Sequence, residues 1–361
     1  MLSRDRVLNA IKRVPVDRVP IFMWFHPETA RRLAEVLEIP PALVGVVMGN
    51  DVCQTWIGNN FAMEGIVHER DGERHADDWE IVWERQNGFN QIATYPLQDA
   101  DGEKVERYEF PHDRIPALLK NMDALAPFRE THFIGCDTSP CVFELLCRLF
   151  GMEGAMLRLA EDAPETRRLI ARAADFGEAL AVAGCGLRHI DWLWTGDDVG
   201  GQQGMMLSPE MWRERVRPAM ARIIDVGRRC GLPIAYHSCG AIRPIIPDLI
   251  EIGVTVLNPI QCGCPGMEAA SLKAEFGERL TFMGGIDTIG LLPRGSVSEV
   301  RRAVRALLDT MTSGGGGFIL AASHTIAPET PLENIFAMYH EAGLTKEMIS
   351  DAAANARTAN T

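Results

Sequence analysis

The chain has 361 residues, of which 47% are hydrophobic and 24% charged, a composition typical of a globular protein with a sizeable core. Its formal net charge of −13 argues against a nucleic-acid groove or an anionic membrane surface as its partner. Nine cysteines are too few for a disulfide scaffold, so we expect reduced thiols in a cytoplasmic protein. We find neither a signal-peptide core nor an apolar run of about 18 residues that could span a membrane.

The first third of the chain predicts strands that lead into helices, followed by an irregular segment. The predicted helices lie at residues 3–13 and 27–36, and the predicted strands at residues 19–25 and 51–56. Residues 65–127 carry many charges and several turn signals. We interpret them as an insertion with one or two hairpins that lies over the rest of the fold.

The remaining chain repeats one pattern, in which a short apolar run is followed by a helical segment. The apolar runs lie at residues 133–137, 190–194, 233–237, 254–258, 280–287 and 318–322. The helical segments lie at residues 142–150, 164–183, 208–230, 245–252, 267–276, 298–311 and 333–342. Continuous apolar runs are typical of parallel strands that are covered on both faces.

Eight such strands predict a single α/β domain over residues 1–361, a (β/α)8 or TIM barrel. A doubly wound open sheet is the alternative. No glycine-rich dinucleotide loop follows the first predicted strand, which disfavours that alternative.

Polar and metal-competent residues recur where the predicted strands end, which is where TIM barrels carry their active sites. They are Trp24, His26, Asp51, Cys136, Asp137, Asp197, Asp198, His237, Cys239, Asn258, Gln261, Asp287, Ser323 and His324. The sequence therefore predicts one active site at the carboxyl end of the barrel.

His237 and Cys239 are the strongest candidates for a metal site. Residues i and i+2 of a strand point to the same side, and imidazole and thiolate are zinc ligands. Zinc would deprotonate the cysteine and hold an incoming thiol or alkoxide as a better nucleophile. The alternative from spacing alone is a core cysteine beside a hydrogen-bonded histidine.

Other candidates also have structural alternatives. Asp197 and Asp198 would orient substrate or exchange protons, or else cap a helix. Asp287 is either a site carboxylate or the cap of the next turn. Trp24 is predicted to form a pocket wall. Cys262 and Cys264 are fallback metal ligands, although a lone loop pair of thiols is usually incidental.

Five stretches of the chain resemble the uroporphyrinogen decarboxylase superfamily. They are RDRVLNAIKRVPVDRVPI near the start, DDVGGQQGMMLSPEMWRERVRPA, HSCGAIRPIIPDLIEIGVTVLNPIQ, GERLTFMGGIDT and SHTIAPETPLENI. Within the superfamily, the chain is more similar to the cobalamin-dependent methyltransferases. The resemblance implies zinc-assisted transfer of a methyl group between a corrinoid protein and a thiol, a folate or a methoxy- or methylamine-type small molecule. Methylcobalamin would be carried by a separate corrinoid protein, and a homodimer is consistent with the resemblance.

The resemblance also implies roles for individual residues. In the methyltransferases, zinc is bound by a His-x-Cys pair, here His237 and Cys239, and by a distant cysteine near the last strand. That distant position is occupied by Ala322-Ser323-His324, so His324 is predicted as the third ligand or as a catalytic residue that contacts substrate. Asp198 is predicted to be catalytic. The predicted substrate-binding residues are Trp24, Asp197, Gln202, Asn258, Gln261 and Asp287.

Two other functions remain open at this point. The decarboxylases carry an arginine-rich segment after their first strand, but residues 22–28 here contain no arginine, which disfavours uroporphyrinogen itself as substrate. A metal-free decarboxylase of another carboxylated compound would use Asp197 or Asp198 in protonation and His324 in binding. A non-catalytic binding protein on the same barrel is the second alternative.

Overall fold

Seven parallel strands form the central sheet of the protein. A computed structural model describes residues 1–60, 68–187 and 189–359. In sheet order, the strands are β1 (Val52–Trp56), β5 (Phe133–Asp137), β6 (Trp192–Gly196), β7 (Ile234–His237), β8 (Val256–Ile260), β9 (Thr281–Ile286) and β10 (Phe318–Ala322). Each of these strands was predicted from the sequence, with ends that differ by only a few residues.

The predicted strand at residues 19–25 closes the barrel without forming a continuous strand. It makes isolated parallel bridges from Ile21 to Leu320 and from Phe25 to Ile326, next to β10. On its other side, the Asp51 N–H donates to the Ile21 carbonyl at 2.7 Å. The ladder is interrupted because the Asn50 side-chain amide bonds both the N–H and the carbonyl of Met23. The segment takes the eighth position, and the predicted TIM barrel is confirmed.

Helices lie between the strands, at Ser3–Ile11, Pro27–Leu37, Val44–Met48, Gly102–Arg107, Ile115–Leu118, Phe143–Phe150, Met152–Glu161, Pro164–Gly186, Pro209–Met211, Arg217–Arg229, Ile246–Ile252, Ala269–Phe276, Leu291–Arg294, Val297–Thr312, Leu332–Glu341 and Lys346–Ala359. The predicted helix at 208–230 is interrupted by a π-helical turn at Trp212–Val216, just before Pro218, which has no N–H to donate into the preceding turn. None of the described helices is both long and apolar enough to cross a bilayer.

The barrel strands are buried on both faces, as their continuous apolar runs predicted. Side chains on the inner face form one cluster, which includes Phe133, Trp192, Trp194, Ala235 and Val256. Val7, from the first helix, packs into the same cluster. Side chains on the alternate positions, such as Ile134 and Leu193, join the larger core between strands and helices.

Asp51 lies at the opposite end of the barrel from the predicted active site. Its fully buried carboxylate accepts hydrogen bonds from Arg6 at 2.5 Å and from Arg18 at 2.7 Å. The inclusion of Asp51 among the active-end residues was wrong, because Asp51 precedes β1 and therefore lies at the amino end of that strand.

The predicted insertion at 65–127 begins outside the described residues, which resume at His68. It contains the antiparallel strands β2 (Arg74–Ala76), β3 (Val82–Gln86) and β4 (Phe89–Thr94). The β3–β4 turn is Asn87-Gly88, with φ of 53° and 83°, as expected for a two-residue hairpin loop. Trp79 and Trp83 bury their rings in the same apolar core as the barrel strands.

Candidate active site

A polar cavity opens at the carboxyl ends of the barrel strands. Its lining among the described residues is Trp24, Trp56, Asn60, Asp137, Ser139, Glu144, Trp194, Gly196, Asp198, His237, His324 and Thr325. Trp56, Asp137, Gly196 and His237 are the last residues of four different strands. Each continues the inward-facing alternation of its strand, so the floor of the cavity is the top of the barrel interior.

Three side chains with metal-ligating atoms meet beside this cavity, and two of them, Asp198 and His237, line it. The ligand atoms of Asp198, His237 and Cys239 all lie within 4.8 Å of one another. The Cys239 Sγ is 3.5 Å from the His237 Nε2, which is 3.6 Å from the Asp198 Oδ1. The predicted pair of His237 and Cys239 therefore comes together with Asp198, which had been assigned to catalysis.

Asn258 fixes the orientation of the His237 ring. Its Oδ1 lies 2.7 Å from the His237 Nδ1, and the Asn258 side chain is buried. Because this amide oxygen can only accept, the Nδ1 carries a proton, and in the neutral ring the lone pair is therefore on the Nε2. That lone pair is on the side of Cys239 and Asp198, as a metal-binding imidazole requires.

The loops after β6 and β7 hold each other in place. The Cys239 N–H donates to the Asp198 Oδ1 at 2.7 Å, and the buried Ser238 hydroxyl accepts from the Val199 N–H at 3.1 Å. Gly240 has φ +80°, and a Cβ there would lie 2.6 Å from the Gly200 carbonyl carbon. Only glycine allows the two loops to approach this closely.

The predicted glutamines lie at the edge of the cluster. The Gln261 Oε1 accepts from the Gly240 N–H at 2.8 Å, and its amide donates to the Gln202 Oε1 at 3.3 Å. The Cys264 thiol lies 3.6 Å from the same Gln202 oxygen. Neither Cys262 nor Cys264 is part of the group formed by Asp198, His237 and Cys239.

His324 lines the cavity but is not one of the three clustered ligands. Asp198, rather than His324, is the third side chain beside His237 and Cys239 in this group, and the assignment of His324 as a ligand stays a prediction. The ring keeps exposed surface in the cavity, yet the surrounding atoms lower its pKa, chiefly through lost solvation and then through nearby His237. Asp198 acts on this pKa in the opposite direction. His324 is thus a neutral side chain, able to accept or donate a hydrogen bond.

Asp197 lies beneath the cavity and caps a helix. Its fully buried carboxylate accepts from the backbone N–H groups of Cys141, Val142, Phe143 and Glu144 at the start of helix Phe143–Phe150. Burial raises the pKa of Asp197 to about 7, against the effect of these donors. Asp287 is also a cap, accepting from Ile289, Gly290 and Leu291. Asp197 therefore caps a helix and Asp287 caps the turn that follows it, which were the structural alternatives to a role in substrate binding.

The sequence did not single out Glu144 and Asn60 as cavity residues. Glu144 follows β5 in the first turn of a helix, where side chains face a barrel's active end. Its carboxylate bonds Arg148 at 2.5 Å. Asp137, which is also in the lining, is fully buried, and burial raises its pKa well above the usual range. Sequence analysis had placed Asp137 at this strand end, and the alternation from Phe133 to Asp137 directs its side chain into the cavity.

Comparison with known protein families gives a match for this chain. Residues 79–343 match the family described as Uroporphyrinogen decarboxylase (URO-D). The chain belongs to the URO-D family. The resemblance inferred from the five sequence stretches is confirmed.

Relatives of this URO-D chain include two kinds of enzyme. The uroporphyrinogen decarboxylase of Thermus thermophilus is 26% identical over 92% of this chain and 96% of its own length. The methylcobamide:CoM methyltransferase MtaA of Methanosarcina barkeri is 25% identical over 93% of this chain and 96% of its own length. A solved structure, a methyltransferase from Methanosarcina mazei, superposes with a TM-score of 0.68 at 18% identity, covering 95% of this chain and 98% of its own. This last likeness concerns the fold.

Family membership indicates enzymatic chemistry but does not choose between the two reactions. The identities to the decarboxylase and to the methyltransferase differ by a single percentage point. The choice depends on the side chains in the cavity.

Proposed function

We propose that this protein is a zinc-assisted methyltransferase that moves a methyl group between a corrinoid protein and a small acceptor or donor. The cluster of Asp198, His237 and Cys239 carries the proposal, because one carboxylate, one imidazole and one thiol within 4.8 Å form a suitable zinc set. The small molecule would be a thiol, a folate or a methoxy- or methylamine-type compound. The corrinoid would arrive on a separate cytoplasmic protein.

The donor chemistry of the cluster fits zinc. Three protein ligands leave a fourth position open, as in catalytic zinc sites. Zinc held there would lower the pKa of a bound thiol or alcohol, which then reacts as an anion near neutral pH. Asn258 would keep the His237 Nε2 available, and the Cys239 N–H would orient the Asp198 carboxylate.

Other side chains would position the small molecule. The rings of Trp24 and Trp56 would exclude water from one side of the cavity, and His324 would contact the substrate. Gln202 and Gln261 would hold the Gly240 turn, and with it Cys239, in position. In this proposal Asp197 and Asp287 support the backbone rather than the substrate.

Metal-free decarboxylation is the second candidate, because several relatives are uroporphyrinogen decarboxylases. The cavity offers little to a substrate with many carboxylates. Its lining, within the described part of the chain, includes Asp137, Glu144 and Asp198 but neither lysine nor arginine. Such a substrate would need cationic partners in a closed site.

Zinc content tests the proposal. The full chain would be purified without a histidine tag and its metals measured by mass spectrometry. We expect one zinc per chain, which is lost in Cys239→Ser and His237→Gln. Cys264→Ser is the matched control, since it removes a neighbouring thiol outside the cluster, and it should retain the metal.

Activity then separates the candidates. Zinc-loaded protein should transfer a methyl group from methylcobalamin to a thiol, and Cys239→Ser should reduce the rate by at least about a hundredfold. Folded, metal-free protein that does not take up added zinc would exclude the metal-assisted reaction.

A further inference from the structure

One side of the cavity is an aromatic wall, formed by Trp24, Trp56 and Trp194. The ring centroids are 5.9 Å apart for Trp24 and Trp56, and 5.4 Å apart for Trp24 and Trp194. Trp194 is buried, whereas Trp24 and Trp56 are half-buried and keep ring surface on the cavity. The face of an indole ring carries partial negative charge, which attracts a cation within about 6 Å.

The cavity lining has acidic side chains, although burial raises the pKa of Asp137 well above its usual range and so favours the uncharged form of that one. Asp137, Glu144 and Asp198 contribute to its lining, and no lysine or arginine does so within residues 1–60, 68–187 and 189–359. Arg148 lies beside Glu144 and bonds it at 2.5 Å, and it also bonds the side chains of Asn59 and Asn60. The carboxylate of Asp198 contacts Cys239 and the His237 ring instead. An arginine therefore balances Glu144 but not Asp198.

Bound zinc would not reverse this preference for cations. The carboxylate of Asp198 and the thiolate of Cys239 carry two negative charges, which balance the two positive charges of the ion. The loaded cluster would thus add no net positive charge to attract an anion that does not coordinate the ion, while the aromatic wall would still favour a cation.

We propose that the cavity binds a small cation whose charge lies on a methylated nitrogen or sulfur atom. This substrate class rests on the methyltransferase function proposed above and makes it more specific. The methyl groups would contact the rings of Trp24 and Trp56. Transfer of one methyl group breaks its C–N or C–S bond and leaves a neutral amine or thioether. The electron pair of the broken bond stays on the nitrogen or sulfur atom. The methyl group passes to the reduced corrinoid of the partner protein, which supplies the electron pair of the new bond, so no proton has to be supplied.

Binding of matched probes tests the proposal without requiring turnover. Choline and 3,3-dimethylbutan-1-ol have the same shape, but only choline is charged. Isothermal titration calorimetry on the full chain, zinc-loaded and metal-free, would compare these two with trimethylsulfonium and methanesulfonate. We expect choline to bind at least about ten times more tightly than the neutral alcohol, and methanesulfonate not to bind. Comparison of choline with trimethylsulfonium tells whether nitrogen or sulfur is preferred.

Variants locate the binding to the aromatic wall. Trp24→Leu should weaken choline binding by about tenfold, whereas Trp24→Phe should retain most of it, because phenylalanine keeps an aromatic face. Phe128→Leu is the control, since Phe128 lies outside the cavity lining, in the segment before β5. If Trp24→Leu does not fold, the affinities of the native protein for choline, the neutral alcohol and methanesulfonate still test whether the cavity prefers a cation.

The outcomes separate this inference from the proposed function. Equal affinity for choline and the neutral alcohol, or tighter binding of methanesulfonate, would overturn the cation preference even if methyl transfer from a neutral methoxy compound is observed. Selective choline binding by a protein that transfers no methyl group would support the cation site and count against the methyltransferase.

Discussion

The Oδ1 of Asn258 lies 2.7 Å from the Nδ1 of His237, where the last residue of β7 pairs with Asn258 in the adjacent strand β8. This hydrogen bond joins a buried amide to the ring that we propose as a metal ligand. Sequence analysis assigned Asn258 to substrate binding, whereas the structure gives it a contact that positions His237.

We expect Asn258→Leu to lower zinc affinity by about 10- to 100-fold, because the imidazole loses the partner that fixes its tautomer. Asn258→Asp should restore most of the affinity, since a carboxylate also accepts from the Nδ1. Competition with a chromogenic chelator measures the change. Asn334→Leu is the matched control, because Asn334 is equally buried but bonds the Leu292 and Gly295 carbonyls. Equal zinc affinity in both leucine variants would contradict the role of Asn258.

Zinc binding should strengthen as the pH rises. Burial, followed by the nearby Asp198, raises the pKa of the Cys239 thiol well above its ordinary value. The thiol is therefore protonated at neutral pH and must lose its proton to bind the metal. We expect affinity to increase about tenfold per pH unit between pH 7 and 9, with one proton released. Calorimetry in buffers of different ionisation enthalpy counts this proton. Affinity that is constant over this range would show that Cys239 does not bind as a thiolate.

Asp197 should make the folded protein less stable as the pH rises from about 4 to 7. Its pKa of about 7 in the folded state exceeds that of the unfolded chain, so the folded protein retains a proton that the unfolded chain has released. The proton that the folded state retains can add about 4 kcal/mol to the free energy of unfolding at low pH. This contribution is lost by about pH 7, above which Asp197 is ionised in both states.

The variant Asp197→Asn isolates this effect, because the amide oxygen can still accept from the helix N–H groups. Urea unfolding from pH 4.5 to 8 should show that the stability difference between the native protein and Asp197→Asn changes with pH. A difference that stays constant would mean that the helix N–H groups keep Asp197 ionised throughout.

Gly240→Ala should disrupt the metal cluster. The new Cβ would approach the Gly200 backbone to 2.6 Å at a φ of +80°, so the loop that carries Cys239 must move. We expect zinc content to fall to less than about half, with a stability loss of about 1–3 kcal/mol. Gly263→Ala is the control, since a Cβ there meets no atom within 4 Å. Normal zinc content in Gly240→Ala would mean that the turn does not position Cys239.

Most of the fold could be predicted from the sequence, because barrel strands buried on both faces appear as continuous apolar runs. The exception was residues 19–25, where a long apolar run forms only isolated bridges. The Asn50 side chain occupies the backbone groups of Met23, and periodicity carries no information about such a contact between a side chain and the backbone.

The site could be predicted only in part. Asp197 and Asp198 are adjacent, and sequence analysis placed both in the site, Asp198 as a catalytic residue and Asp197 as a substrate-binding residue. Alternation from Trp194 through Gly196 directs Asp198 toward the cavity and Asp197 toward helix Phe143–Phe150. His324, predicted as either the third ligand or a residue that contacts substrate, lies in the cavity but outside the cluster. The distance of His324 from the cluster depends on the conformation of the loop after β10, which a sequence motif does not specify.

The sequence by itself determined the barrel and the placing of His237 and Cys239 on one side of a strand end, because these depend on local periodicity. The family resemblance came from five stretches of matching residues. Only the tertiary structure decided that Asp198 joins them, that Asn258 orients His237 and that Asp197 caps a helix. Each of these contacts links residues from different strand ends. The distances between them are set by barrel closure and by the close approach of two loops at Gly240.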